Sequence, residues 1–141
     1  PGAHNPANLV APGKRPFHTI IPAFLTRNGQ PVMSYGVMGA NMQPQGHMQT
    51  LVRMLDYGQN PQAACDAPRW RYNQGMSINV EAALRADTAQ SLQARGHQID
   101  VINDSYQDFG AGQFIWRAGD PRVEGYVVAS DARRDGLAAG F

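Results

Sequence analysis

The sequence predicts an α+β fold, layered, with a mainly antiparallel sheet and helices on one face. Three observations carry that expectation. Two apolar runs flank Asn28-Gly29, the strongest short-range signal for a β-hairpin. Strand-like and helix-like stretches come in runs without strict alternation, which disfavours a doubly wound parallel sheet. A strand over Val32 to Val37 empties through a glycine-bearing loop into a helix that opens at Pro44.

The elements follow in order. Residues 1–16 hold four prolines and two glycines without periodicity, and read as an extended lead-in to a single unit over 17–141. Phe17 to Arg27 is a near-continuous apolar run and pairs with Pro31 to Val37, with Pro22 marking an edge or a bulge. Neither strand alternates cleanly, so burial on both faces is expected. The helix from Pro44 presents Met48, Leu51, Val52 and Leu55 on one face and stops at Gly58. Asn60 and Pro61 open a short second helix that ends before Pro68. Arg69 to Tyr72 and Ser77 to Glu81 read as strands around a turn at Asn73-Gln74-Gly75. Asp87 begins a third helix, closed after Arg95 by Gly96. Gln98 to Ile102, Gln113 to Arg117 and Gly125 to Ala129 are three more strands, with a loop from Ser105 to Gly112 between the first two.

Composition sets limits on function. The 141 residues are 43% hydrophobic and only 16% charged, below the usual quarter or so, as if another chain or segment covers part of the surface. A net charge of +1, with arginines spread along the chain, argues against nucleic acid. No apolar run approaches the ~18 residues of a membrane helix, and no secretion leader opens the sequence. A cytoplasmic location is expected ahead of a periplasmic one. The single cysteine, Cys65, falls in a helical pattern and reads as a small buried hydrophobe. His4, His18, His47 and His97 show no metal-ligand spacing, so no metal is expected. There is no Gly-x-Ser-x-Gly elbow and no P-loop ending.

The chemistry-bearing stretch is Tyr35-Gly36-Val37-Met38-Gly39-Ala40-Asn41-Met42-Gln43-Pro44-Gln45-Gly46-His47. A strand, a glycine turn and a helix start aim free backbone N–H groups at one point, where they can hold an anion or a developing oxyanion. His47 at the first turn is expected to bond backbone in the loop.

That stretch, with Pro12-Gly13-Lys14-Arg15-Pro16-Phe17-His18-Thr19 before it, resembles the C-terminal, small-subunit part of the γ-glutamyltransferase family. Asp56-Tyr57-Gly58, Asp66-Ala67-Pro68-Arg69-Trp70, Arg95-Gly96-His97 and Ser130-Asp131-Ala132-Arg133-Arg134-Asp135-Gly136 follow in family order. The resemblance implies part of an N-terminal-nucleophile hydrolase αββα sandwich, made from a self-cleaving precursor with a large and a small subunit. It implies a threonine nucleophile upstream of Pro1, an amide substrate carrying a γ-glutamyl or similar acidic acyl group, and no cofactor. By the same match Gly39 and Ala40 are the backbone oxyanion pair, alanine serving if its φ need not be positive. His18 and Thr19 fall where the family has a Ser-Ser pair that contacts the glutamyl carboxylate, a departure that opens an acylase acting on another acyl amide. The remaining alternative is a non-catalytic module that binds an acidic small molecule. The tail Asp131 to Asp135 is expected to make structural ion pairs, and an isolated chain is expected to pair with itself or with the missing segment.

Overall fold

A computed structural model describes residues 9–140, apart from the side chains of Tyr106 and Gln107. The lead-in runs without regular structure as far as Pro22, and β1 begins at Ala23 (Ala23–Arg27). The expected strand from Phe17 is therefore shorter than its apolar run. Pro22 has no N–H for a ladder, and β1 is an edge strand with no second neighbour to hold residues 17–22.

Asn28 and Gly29, both at positive φ, turn β1 into β2 (Gln30–Val37). A bulge displaces the register between Leu25 and Thr26, so that Met33 faces Leu25 and Pro31 faces Thr26. A short 3-10 turn, Ala40–Met42, then leads into α1 (Gln43–Leu55), with Pro44 in its first turn. Gly58 at φ 65° and the Gln59 N–H returning to Arg53 O close this helix. In α2 (Pro61–Asp66) the Asn60 side chain caps the Ala63 N–H at 2.8 Å.

The chain continues through β3 (Trp70–Gln74), β4 (Ser77–Glu81), α3 (Ala86–Ala94), β5 (Gln98–Ile102), α4 (Ser105–Asp108), β6 (Gly112–Arg117) and β7 (Tyr126–Ser130). The strands form two sheets among the described residues: β1-β2-β6-β7, antiparallel throughout, and β3-β4-β5. In the second sheet β4 and β5 run parallel, joined by the α3 crossover. The first turn of α3 holds Asp87, but its N-cap is Arg85. Asp87 accepts from the Thr88 N–H and both guanidinium arms of Arg85, so it braces the first turn from inside the helix. Gly96 at φ 95° and the His97 N–H on Leu92 O end α3.

The core lies between the first sheet and α1 with α2. Met33, Val37, Phe114 and Ala129 project from the sheet onto Met54, Ala64 and Cys65. Each large apolar side chain buried there contributes about 1.5–3 kcal/mol. The opposite face of this sheet is open, with Phe24 at 62% and Ile115 at 50% exposure, so the burial expected on both faces is met on one within this chain.

The buried stripe of α1 is Gly46, Gln49, Thr50 and Met54. Met48 and Leu55 are exposed and Val52 is half-buried, while Leu51 packs against the core, so the buried face is rotated from the expected one and shares only Leu51 with it. Close approach decides the rotation. A Cβ on Gly46 would stand 2.6 Å from Val37 Cγ1, so only glycine lets the helix seat here.

Candidate oxyanion loop and acyl cleft

The loop after β2 packs backbone against backbone on the loop before β6. The Met38 N–H donates to Ala111 O at 2.9 Å. Gly39 has φ 126°, and a Cβ there would lie 3.0 Å from the Gly110 Cα and 3.1 Å from the Met42 Cβ. Gly39 O accepts the Met42 N–H at 2.8 Å and so starts the 3-10 turn. Among the described residues neither the Gly39 N–H nor the Ala40 N–H donates to another group of the chain.

Ala40 has φ 50°. The condition under which alanine replaces glycine without penalty is therefore not met. An L-residue in the left-handed region costs roughly 1–2 kcal/mol, which the surrounding packing has to hold.

Thr19, Gly39 and Ala40 line one cleft of about 1040 Å³, bounded by the open face of the first sheet and the tail after β7. His18 is exposed and stands outside the lining. A side chain from the helix start fixes Thr19: Gln43 donates to Thr19 O at 3.0 Å and accepts the Ile21 N–H at 3.3 Å. Most of the lining is apolar, with Arg134 and Asp135 as its charged members.

His47 bonds the end of β2, as expected. Its Nε2 accepts the Val37 N–H at 2.8 Å, and its ring lies tilted on Tyr35 with centroids 5.1 Å apart. Burial pushes the imidazole below its ordinary value. The bond acts the same way, because only a neutral ring nitrogen accepts an N–H.

Behind the loops lies a buried charge cluster of which the sequence showed only the tail. Arg69 and Asp131, each 1% exposed, pair at 2.7 Å. Asp131 also accepts the Gly112 N–H, while Arg69 donates to Phe109 O at 2.9 Å. Arg133 joins the cluster through Glu81 and Asp131. The cluster thus grips residues 109–112, the segment on which Gly39 rests. Burial opposes the Asp131 charge, but Arg69, the Gly112 and Arg133 N–H groups and the Arg133 guanidinium outweigh it and lower the carboxyl. Arg69 and Glu81 carried no local signal, since their partners lie 62 and 52 residues away.

Cys65 is buried with Sγ 3.5 Å from Gly112 O, and burial together with Asp131 pushes its thiol up to about 12. Among the described residues, which exclude His4, no group of three or more His, Cys, Asp or Glu side chains is placed to hold a metal. No helix among them is long and apolar enough to cross a membrane.

The fold is a mixed α+β layer, and the solved structures that superpose on it are N-terminal-nucleophile hydrolases. The family model described as Gamma-glutamyltranspeptidase matches residues 2–141, and the chain belongs to that family. It is 34% identical over 143 residues to the glutathione hydrolase-like YwrD proenzyme of Bacillus subtilis (strain 168), covering 97% of this chain and 26% of that protein. It is 33% identical over 137 residues to the oxamate amidohydrolase proenzyme of Klebsiella pneumoniae, covering 94% and 25%. The crystal structure of cephalosporin acylase from Bacillus halodurans superposes with a TM-score of 0.81 at 48% identity, over 95% of this chain and 24% of that one. The chain spans about a quarter of the length of these relatives.

Proposed function

We propose that this chain is the C-terminal part of an amide-cleaving proenzyme and supplies its oxyanion loop and one wall of its acyl cleft. The observation that carries the reading is the pair of undonated N–H groups at Gly39 and Ala40 on the cleft wall. Two such donors stabilise the oxyanion of a tetrahedral intermediate, and each is worth about 2.7–4 kcal/mol in enzymes that use them. The attacking hydroxyl is a threonine in a preceding segment, with its own α-amino group as base. The acyl-enzyme ester then passes to water or to an amine.

The substrate is an amide with a γ-glutamyl or similar acidic acyl group. In its support, Arg134 brings a cation to a largely apolar cleft, and Thr19 offers a hydroxyl donor on the same wall. His18 is exposed beside Thr19 but outside the cleft lining, so within this chain Thr19 carries the acyl contact of the pair. The large subunit and the remainder of the small one cover the open sheet face at Phe24 and Ile115.

The test is the release of nitroaniline from γ-glutamyl, glutaryl and uncharged acyl nitroanilides by the processed two-subunit enzyme. Acidic acyl groups are expected to lead. Preference for an uncharged acyl group would reject the substrate class. Turnover by the 141-residue chain alone would reject the upstream nucleophile.

A further inference from the structure

The Gly39–Ala40 loop hangs from the end of β2, and the last residue of that strand is held in an unusual way. Val37 stands opposite Gly112 at a non-hydrogen-bonded position of the β6 ladder, so its N–H turns away from β6 to the side where β1 has already ended. Val37 gives it to the Nε2 of His47, ten residues later and on the first turns of α1. The helix that begins at the loop therefore reaches back and fixes the point from which the loop departs. Three further contacts make the attachment stiff. The His47 ring rests on Tyr35 of the same strand. His47 O accepts the Thr50 hydroxyl at 3.1 Å, and Gly46 seats on Val37 with no room for a side chain.

We propose that His47 is the positioning residue of the Gly39–Ala40 loop and its pH-sensitive latch: the neutral ring holds the Val37 amide, and protonation releases it. The proposal rests on the oxyanion reading for its effect on rate, though not for its effect on structure. A protonated ring carries N–H on both nitrogens and opposes the Val37 N–H donor to donor. Tyr35 on β2 is the titratable side chain packed on the ring. Among the described residues no carboxylate or cationic side chain adds to the shift of the ring. Burial places release below the ordinary histidine value of 6.5. His47 stands outside the lining of the acyl cleft, so release lowers turnover with little change in KM.

The experiment uses the processed enzyme, its H47Q and H47L variants, and two readouts. Gln places an amide oxygen where Nε2 stands and does not titrate, whereas Leu removes the acceptor. The expected result is a kcat loss of about 10-fold or more in H47L, substantially restored in H47Q. The acid limb below pH 6.5 should weaken in H47Q. An acid limb unchanged in H47Q, or equal kcat in H47Q and H47L, overturns the proposal.

The second readout is NMR of enzyme labelled with 15N at valine, glycine and histidine, with H47Q assigning the ring. The Val37 and Gly39 amides are expected to shift with the His47 titration. Amides that do not follow the ring overturn the latch. If the wild-type enzyme cleaves no amide yet these signals titrate together, the latch stands and the oxyanion reading falls.

Discussion

The side-chain amide of Gln49 pairs with the backbone of Trp70 at both of its ends: Oε1 accepts the Trp70 N–H at 3.1 Å and Nε2 donates to Trp70 O at 2.8 Å. A glutamine on α1 thus behaves as a one-residue β-strand against the free edge of β3. Gln45 repeats the pairing at Tyr72, Gln43 at Thr19 and Ile21, and Gln62 at Ser130. These amides join the second sheet and the lead-in to the helices that carry the site, and they cover edge groups that would otherwise offer a template for aggregation.

Gln49→Leu keeps the volume and leaves the Trp70 N–H and C=O unpaired at a half-buried edge. A loss of about 1–3 kcal/mol is expected, read as a lower urea midpoint with unchanged slope. Gln49→Glu should recover part of it, since a carboxylate accepts the N–H but repels the carbonyl.

Ala40→Gly should act in the opposite direction. Glycine takes φ 50° freely, while its greater unfolded-state entropy offsets part of the gain. A net stabilisation of about 1 kcal/mol is expected. Ala40→Val, β-branched at the same φ, should destabilise, and equal midpoints for all three would contradict the strain assigned to this residue.

Cys65 should be inert in the folded protein. With its thiol pushed up to about 12, little thiolate exists at pH 8 and no solvent reaches it. Iodoacetamide is expected to label it only at the rate of unfolding, and rapid native labelling would contradict the burial.

Much of this architecture was legible in the sequence because its signals are local. Asn28-Gly29, Asn60-Pro61, Gly58 and Gly96 each act through dihedrals within a few residues, and the elements they bound came out close to place. The strand Ser77–Glu81 and the strand Gln98–Ile102 match residue for residue, yet their parallel pairing did not show, because pairing is set by the α3 crossover packing. Helical periodicity placed α1 but misjudged its buried face. The decisive contacts were a missing side chain at Gly46 and a polar one at Gln49, neither of which registers as apolar. The loop at Gly39 could be found from glycine and proline spacing, while the φ of Ala40 and the hold of Arg69 on residue 109 belong to the tertiary structure.

The buried cluster sets the acid limit of the fold. Asp131 and Glu81 both titrate below their ordinary values of 3.8 and 4.5. For Glu81, burial alone would raise the carboxyl, but hydrogen bonds from Arg133, Ser105 and the Arg69 N–H, with the Arg133 charge, reverse the direction. A carboxylate lowered on folding contributes stability that is complete above its unfolded value and lost as pH falls through the folded one. Stability should therefore hold level above about pH 4.5 and decline steadily below it. Asp131→Asn removes one charge from this cluster and leaves Arg69 buried without its counter-ion, at a cost of about 3–5 kcal/mol. It should also flatten the acid decline, because one of the two titrating groups is gone. Urea midpoints measured from pH 3 to pH 7 for both proteins separate the two effects: the variant should lie lower at pH 7 and converge on the wild type toward pH 3. Parallel curves would mean that Asp131 titrates alike in the folded and unfolded chains, and would leave Glu81 as the cluster's contribution to acid sensitivity.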